Sequence, residues 1–278
     1  TTLNPTYTPG SADIAFGTVT LTLTAQAMLP CALQNSDSFI LTVNPTATVD
    51  AGFNASVCEG TGLTILDATA DDYSSINWTT SGTGTFSNGS TINPTYFPSP
   101  GDVALGTVVL TLTANSIAPC TDVVTDTKVV TVTPMPVVDA GPDATSCGLA
   151  GYNITGSSAT NYVSLMWTST ASGVFSNATA LHPTYFPSAA DLAAGSVTLT
   201  LNARSAFPCT VNPSDSFVLY LQEEPTADAG ADATICEGDS YTVFDAVATD
   251  YSAVNWTTNG TGVLTDGNTL NPTYIASA

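Results

Sequence analysis

The strongest constraint on this chain is a repeat of 89 residues that runs through it without insertion or deletion. Val-Asp-Ala-Gly begins at Val49 and at Val138, and Ala-Asp-Ala-Gly at Ala227. The same step relates Trp78, Trp167 and Trp256, then Cys58, Cys147 and Cys236, then Cys31, Cys120 and Cys209. Pro-Thr-Tyr recurs at Pro5, Pro94, Pro183 and Pro272. A period of this size is too long for a solenoid coil or a propeller blade, and it matches one β-sandwich of about 100 residues. Each repeat is expected to be a domain.

The division that follows is 1–44 as the second half of a repeat, 45–134 and 135–223 as complete repeats, and 224–278 as a first half. Residues 1–11 and 268–278 align with the same positions, 90–100, so the two halves overlap. Completion of one chain's half by another's, as in strand donation, would carry a redundant strand, whereas a window on a longer tandem array needs no such excess. The start at Thr1 rather than Met fits a mature or partial chain.

Thr, Ser, Ala, Val, Asn and Gly dominate, which suits strands and tight turns rather than helices. Within 45–134, alternating runs bounded by turn residues predict strand A at Ala47 to Asp50, continued at Ala55 to Cys58, B at Leu63 to Ala68, and C at Ile76 to Thr80. Short D and E strands are expected around Thr83 to Phe86 and Thr91 to Tyr96, with F at Thr107 to Ala114 and G at Lys128 to Thr133. The fold class expected is all-β: tandem immunoglobulin-like sandwiches of seven strands.

Charge narrows the partners. The formal net charge is -21 and the basic side chains are Lys128 and Arg204. Phosphate binding and anionic membranes need clustered Lys and Arg, so neither nucleic acid nor a lipid surface is an expected partner. A hydrophobic fraction of 43% is enough to fold, and no apolar run approaches the ~18 residues of a membrane helix.

The string "DAG...VCEG...W-T-T-S-G-T-G-T-F-S-N...NPTYFPS...G-T-V-V-L-T-L-T-A...PC" resembles the PKD-like repeats of very large Bacteroidota surface proteins, among them gliding-motility adhesins exported by the type IX system. The resemblance covers the whole chain and implies a cell-surface location and an adhesive role. One copy departs from it, reading Ser146-Cys147-Gly148 where the others read Cys-Glu-Gly, so Glu59 and Glu237 have no counterpart there.

No catalytic residue is expected. His182 is the one histidine and replaces Asn4, Asn93 and Asn271 before Pro-Thr-Tyr, which reads as a turn substitution. The tryptophans fall mid-strand C, where such sandwiches place a core aromatic. Tyr73, Tyr162 and Tyr251 precede that strand and suit either packing or a glycan contact. Asn-X-Ser/Thr occurs at Asn54, Asn77, Asn88, Asn153, Asn177, Asn255 and Asn259, mostly by chance in so Asn- and Thr-rich a chain.

Six periodic cysteines predict disulfides formed outside the cytoplasm, since the close-spaced pairs of zinc sites are missing. Cys58 lies at the A-to-B turn and Cys120 in the F-to-G loop, at opposite ends of one sandwich about 20 Å apart. Bridged Cα atoms lie about 4.4 to 6.8 Å apart. When repeats stack end to end, the A-to-B turn of one meets the F-to-G loop of the next, so the expected bond is Cys58 to Cys209, leaving Cys31 and Cys147 without partners in this window. Periodic acids at the same junctions, Asp13, Asp50, Asp72, Asp102, Asp139, Asp191, Asp228 and Asp250, make an oxygen-rich setting for Ca²⁺, against the alternative that they cap turns and keep the surface soluble.

The expected function is a non-catalytic, extracellular stalk or filament segment, partnered by neighbouring repeats, other copies, or a surface glycan or protein receptor. Short linkers such as Val132 to Pro136 contain prolines that would stiffen a rod. The alternatives are an accessory array on a secreted enzyme, or a carbohydrate-binding module in its own right.

Overall fold

The computed structural model describes residues 4–277. Two compact units form. One takes the described residues up to Met135 together with Ala206–Thr210, and the other takes Pro136–Ser205 and the described residues from Val211 onward.

The first unit opens with α1 (Ser11–Phe16) and a hairpin of β1 (Thr18–Gln26) and β2 (Gln34–Thr42). A complete sandwich follows: β3 (Thr48–Asp50), β4 (Ala55–Cys58), β5 (Leu63–Thr64), β6 (Thr69–Asp71), β7 (Tyr73–Thr80), β8 (Thr85–Ser87) and β9 (Thr95–Phe97). Then α2 (Pro100–Leu105) leads into the hairpin of β10 (Thr107–Ser116) and β11 (Val123–Thr133). One sheet has the order β4-β11-β10-β7, with β4 parallel to β11. The other layer is split into β3-β6 and β5-β9-β8.

The period-2 pattern of β10 explains the core. Val108, Leu110, Leu112 and Ala114 are almost fully buried, while the residues between them face outward. They meet Trp78, Tyr96, Ile65, Val130 and Val132 in one cluster. Each large side chain so buried contributes about 1.5 to 3 kcal/mol.

Three elements differ from the sequence reading. Strand B is interrupted: β5 pairs with β9 and β6 with β3, and Ile65 and Ala68 are buried between them while Asp67 turns to Lys128. Strand G begins at Val123 rather than Lys128, so the β10–β11 hairpin is long and its loop short. The E-to-F connection is the helix α2, closed at its start by a reciprocal capping box between Ser99 and Asp102.

The second unit repeats the plan. β12 (Val137–Asp139), β13 (Ala144–Cys147), β14 (Tyr152–Asn153), β15 (Ser158–Thr160), β16 (Ser164–Ser169), β17 (Val174–Phe175), β18 (Thr184–Phe186) and α3 (Ala189–Ala194) precede a hairpin of β19 (Ser196–Arg204) and β20 (Ser214–Gln222). The sheet order is β13-β20-β19-β16, and Trp167 on the edge strand β16 points into the core and is 2% exposed. Beyond it come β21 (Thr226–Asp228), β22 (Ser240–Thr242), β23 (Val247–Thr249), β24 (Val263–Thr265) and β25 (Thr273–Ile275), in the sheets β21-β23 and β22-β25-β24. Trp256, read from the sequence as a core residue, is half-buried, and its indole N–H donates to the Thr269 carbonyl at 3.0 Å.

Candidate functional site

The feature with most chemical content is the hairpin tip between β19 and β20. Its residues Ala206–Thr210 belong to the first unit, where Cys209 is disulfide-bonded to Cys58 with a Cα–Cα distance of 4.9 Å. Cys58 ends β4 in register with Thr133, the last residue of β11. The Thr133 hydroxyl donates to the Phe207 carbonyl at 3.3 Å, and the Cys209 sulfur lies 3.5 Å from the Thr133 carbonyl. Both cysteines are buried, so the bond is shielded from solvent reductants. Cys120, by contrast, sits beyond the far end of β11, an 11-residue strand of about 35 Å. That length is why Cys58 bonds a cysteine 151 residues away and not Cys120.

The preceding tip makes the same docking without the bond. Asn44, which aligns with Thr133, donates from its side chain to the Ala118 carbonyl at 2.9 Å, and the Cys120 thiol lies 3.5 Å from the Asn44 carbonyl. All three tips carry a cis X-Pro bond before the cysteine, at Leu29-Pro30, Ala118-Pro119 and Phe207-Pro208. Cys31, Cys120, Cys147 and Cys236 are free thiols among the described residues.

Glu59 explains the variant copy. Its carboxylate accepts from the Met135 amide at 2.9 Å and so ties down the linker. In the next repeat the aligned position is Gly148 in a left-handed conformation, and Glu224 aligns with Met135. A Cβ at Gly148 would collide with the Glu224 side chain. The acid has changed sides of the contact.

The recurrent aspartates have recurrent local partners. Asp102 is fully buried and accepts from the Thr83 amide at 2.9 Å, the Tyr96 hydroxyl at 2.7 Å and the Ser99 amide at 2.8 Å. Asp191 accepts likewise from the Ser172 and Gly173 amides, the Tyr185 hydroxyl and both the amide and hydroxyl of Ser188. Burial alone would raise these carboxyls, but the hydrogen bonds together outweigh it and hold both below the usual range, Asp191 at about 2. Burial pushes the Tyr96 phenol up to about 12; the Thr80 contact offsets part of this and Asp102 adds to it. Gly84 and Gly173 are required here, since a Cβ at either would strike the tyrosine hydroxyl. Asp13 accepts from Tyr7 and from the Gly10 amide. Asp50, Asp139 and Asp228 each close a turn onto the glycine two residues on. Asp72, Asn161 and Asp250 occupy left-handed positions that Asp and Asn tolerate well. Among the described residues no group of three His, Cys, Asp or Glu side chains is placed to hold a metal ion.

The remaining sequence candidates resolve simply. His182 bonds the Ser157 carbonyl at 3.0 Å, within a turn. Tyr73 packs on the core, whereas Tyr162 and Tyr251 stay 40% and 43% exposed. Asn54 and Asn153 use their side chains to accept from the Val129 amide and the Thr184 hydroxyl. Sequence reasoning missed the pair of Lys128, 2% exposed, with Asp67 at 2.8 Å. The visible signal was a lysine in an inward-facing position that Phe217 fills in the next repeat.

No family description and no curated protein matches the chain. Solved structures with similar backbones include extracellular cadherin domains 1–4 of protocadherin gamma B7, at 11% identity and a TM-score of 0.46, over 97% of this chain and 77% of that one. A three-Ig segment of titin matches at 13% identity and 0.42, over 84% and 89%. Human CDH23 EC21-23 matches at 14% and 0.42, over 84% and 91%. The strand order of the chain itself shows the fold: it is all-β, a tandem array of immunoglobulin-like sandwich repeats.

Proposed function

We propose that this chain is a non-catalytic spacer of an extracellular, adhesive surface protein, in which the repeats carry tension and hold a binding element elsewhere at a distance. The observation that carries the reading is the Cys58–Cys209 bond, which joins one repeat to the hairpin tip of the following one. A disulfide of this kind suits an oxidising compartment. The two buried carboxylates serve to fix the sandwiches: Asp102 and Asp191 accept from several internal donors. Surface attachment, filament assembly and the Bacteroidota gliding-adhesin type rest on the sequence resemblance alone. No helix among the described residues is long and apolar enough to cross a membrane.

Single-molecule pulling on the chain tests the reading. With the bond closed, residues 59–208 lie outside the load path; reduction adds a stretch of about 500 Å to the unfolded length, at roughly 3.4 Å per residue. Equal lengths before and after reduction would sink the load-bearing role. A calcium requirement is a separate proposal. An ion held at exposed Asp72 or Asp250 would show as a rise in melting temperature on adding calcium, reversed by chelator. A glycan-binding array on a secreted enzyme would instead show as retention of the isolated repeats on immobilised polysaccharide.

A further inference from the structure

The turn after β8 differs between copies in a way that bears on its chemistry. The first complete repeat reads Asn88-Gly89 there, the next Asn177-Ala178, and the third copy Asp266-Gly267. Asn88 is exposed and left-handed, with a φ of 57°, a conformation that asparagine tolerates better than most residues. The turn itself is pinned. The Asn88 carbonyl accepts from the Thr91 amide at 2.9 Å and the Thr91 hydroxyl at 2.8 Å, and the Gly89 carbonyl accepts from the Trp78 amide at 2.8 Å. Among the described residues, neither the Asn88 side-chain amide nor the Gly89 N–H has a hydrogen-bond partner.

The comparable asparagines are held. The Asn177 side-chain oxygen accepts from the Thr179 amide at 3.1 Å and the Thr179 hydroxyl at 2.8 Å, and the residue after it carries a β-carbon. Asn259-Gly260 is the chain's other Asn-Gly pair, and its glycine amide donates to the Thr258 hydroxyl at 3.0 Å. Of the three, Asn88 combines an unheld carboxamide with an unheld glycine nitrogen beside it.

We infer that Asn88 is a site of spontaneous covalent modification, at which the chain's own Gly89 nitrogen and then water convert the asparagine to aspartate and isoaspartate. The inference goes beyond the spacer role and does not depend on it. The Gly89 nitrogen, having given its proton to a base, attacks the Asn88 side-chain carbonyl carbon. A C–N bond forms, the bond from that carbon to Nδ2 breaks, and Nδ2 leaves with a proton as ammonia. Water then opens the five-membered succinimide at either carbonyl. Breaking the bond from the side-chain carbon to the Gly89 nitrogen gives aspartate; breaking the bond from the main-chain carbonyl carbon gives isoaspartate. The net change is water taken up and ammonia released, with no oxidant or reductant. The turn accommodates the aspartate product, since Asp266 holds the aligned position at a φ of 52° and the Gly267 carbonyl accepts from the Trp256 amide at 2.7 Å. Isoaspartate adds one carbon to the backbone beside Gly89 and works against its bond to Trp78 at the edge of β7.

Incubation of the chain in mildly alkaline buffer, followed by chymotryptic peptide mapping, tests the inference. The expected result is a gain of about 1 Da in the peptide containing Asn88, resolved into aspartyl and isoaspartyl forms, while the peptide containing Asn177 stays as it was. In water labelled with heavy oxygen, each form carries one solvent oxygen. Gly89→Ala reproduces the Asn-Ala of the next repeat, where the Ala178 carbonyl keeps the bond from the Trp167 amide at 2.8 Å, so the turn still forms. The added β-carbon hinders the nitrogen's approach and restricts the backbone, and it should slow the conversion about 10-fold. Conversion at Asn88 no faster than at Asn177, aspartate formed without isoaspartate, or a rate indifferent to Gly89→Ala would overturn it.

Discussion

Asp102 and Tyr96 show how a single carboxylate can organise a repeat: the acid closes the first turn of α2, receives the Tyr96 hydroxyl and pins the Thr83 loop. Removing one neutral donor costs about 1 to 2 kcal/mol, so Tyr96→Phe should lower the urea midpoint modestly. Asp102→Ala strands several donors at once and should cost more. The same knots set the acid limit of stability. Their folded carboxyls titrate below the unfolded value of about 3.9, so the stabilisation is complete above roughly pH 5 and is lost as the pH falls through 4 towards 2. For Asp191 the difference is on the order of 2 kcal/mol, and Asp191→Asn should flatten the acid limb of a melting-temperature profile. Lys128 gives the opposite test. Asp67→Gly alone leaves a buried ammonium without its carboxylate and should cost a few kcal/mol. Adding Lys128→Phe reproduces the Gly156 and Phe217 of the next repeat and should recover most of the loss in a double-mutant cycle.

At the scale of elements, the long strands were legible and the short connections were not. Period-2 alternation exposed β10 from the sequence because one face is entirely buried. The helix α2 escaped notice because six residues carry no amphipathic period, although Ser99 and Asp102 spell a capping box and Gly106 closes the end. Asp102 was read as a surface ligand because nothing in a sequence marks a carboxylate as buried. Strand B was drawn continuous because Leu63 to Ala68 looks uniformly strand-like, yet Asp67 had a partner 61 residues away. The cysteine pairing was legible because it follows from strand length: β11 separates Cys58 from Cys120, whatever the side chains do. Replacing Cys58 and Cys209 by serine should therefore destabilise by about 2 to 5 kcal/mol, in keeping with the closure of a loop this long. The loss should appear in a denaturant melt of the oxidised protein against the variant.

For the molecule as a whole, the separation of 151 residues between bonded cysteines is one full period plus the 62 residues from Cys58 to Cys120. That offset has a meaning in time. Cys120 leaves the ribosome before Cys209 does, so Cys58 first meets the wrong thiol. Only the folding of the β10–β11 hairpin, which carries Cys120 to the far end of its strand, removes that competitor. At 5 to 20 residues per second, the correct partner follows Cys58 by about 8 to 30 s. Each repeat must thus finish its sandwich before its staple can close, and maturation trails synthesis by more than one repeat. A variant that slows the hairpin, such as Leu112→Ala, should accumulate the Cys58–Cys120 species in a pulse-chase on non-reducing gels, although the native bond remains the more stable one.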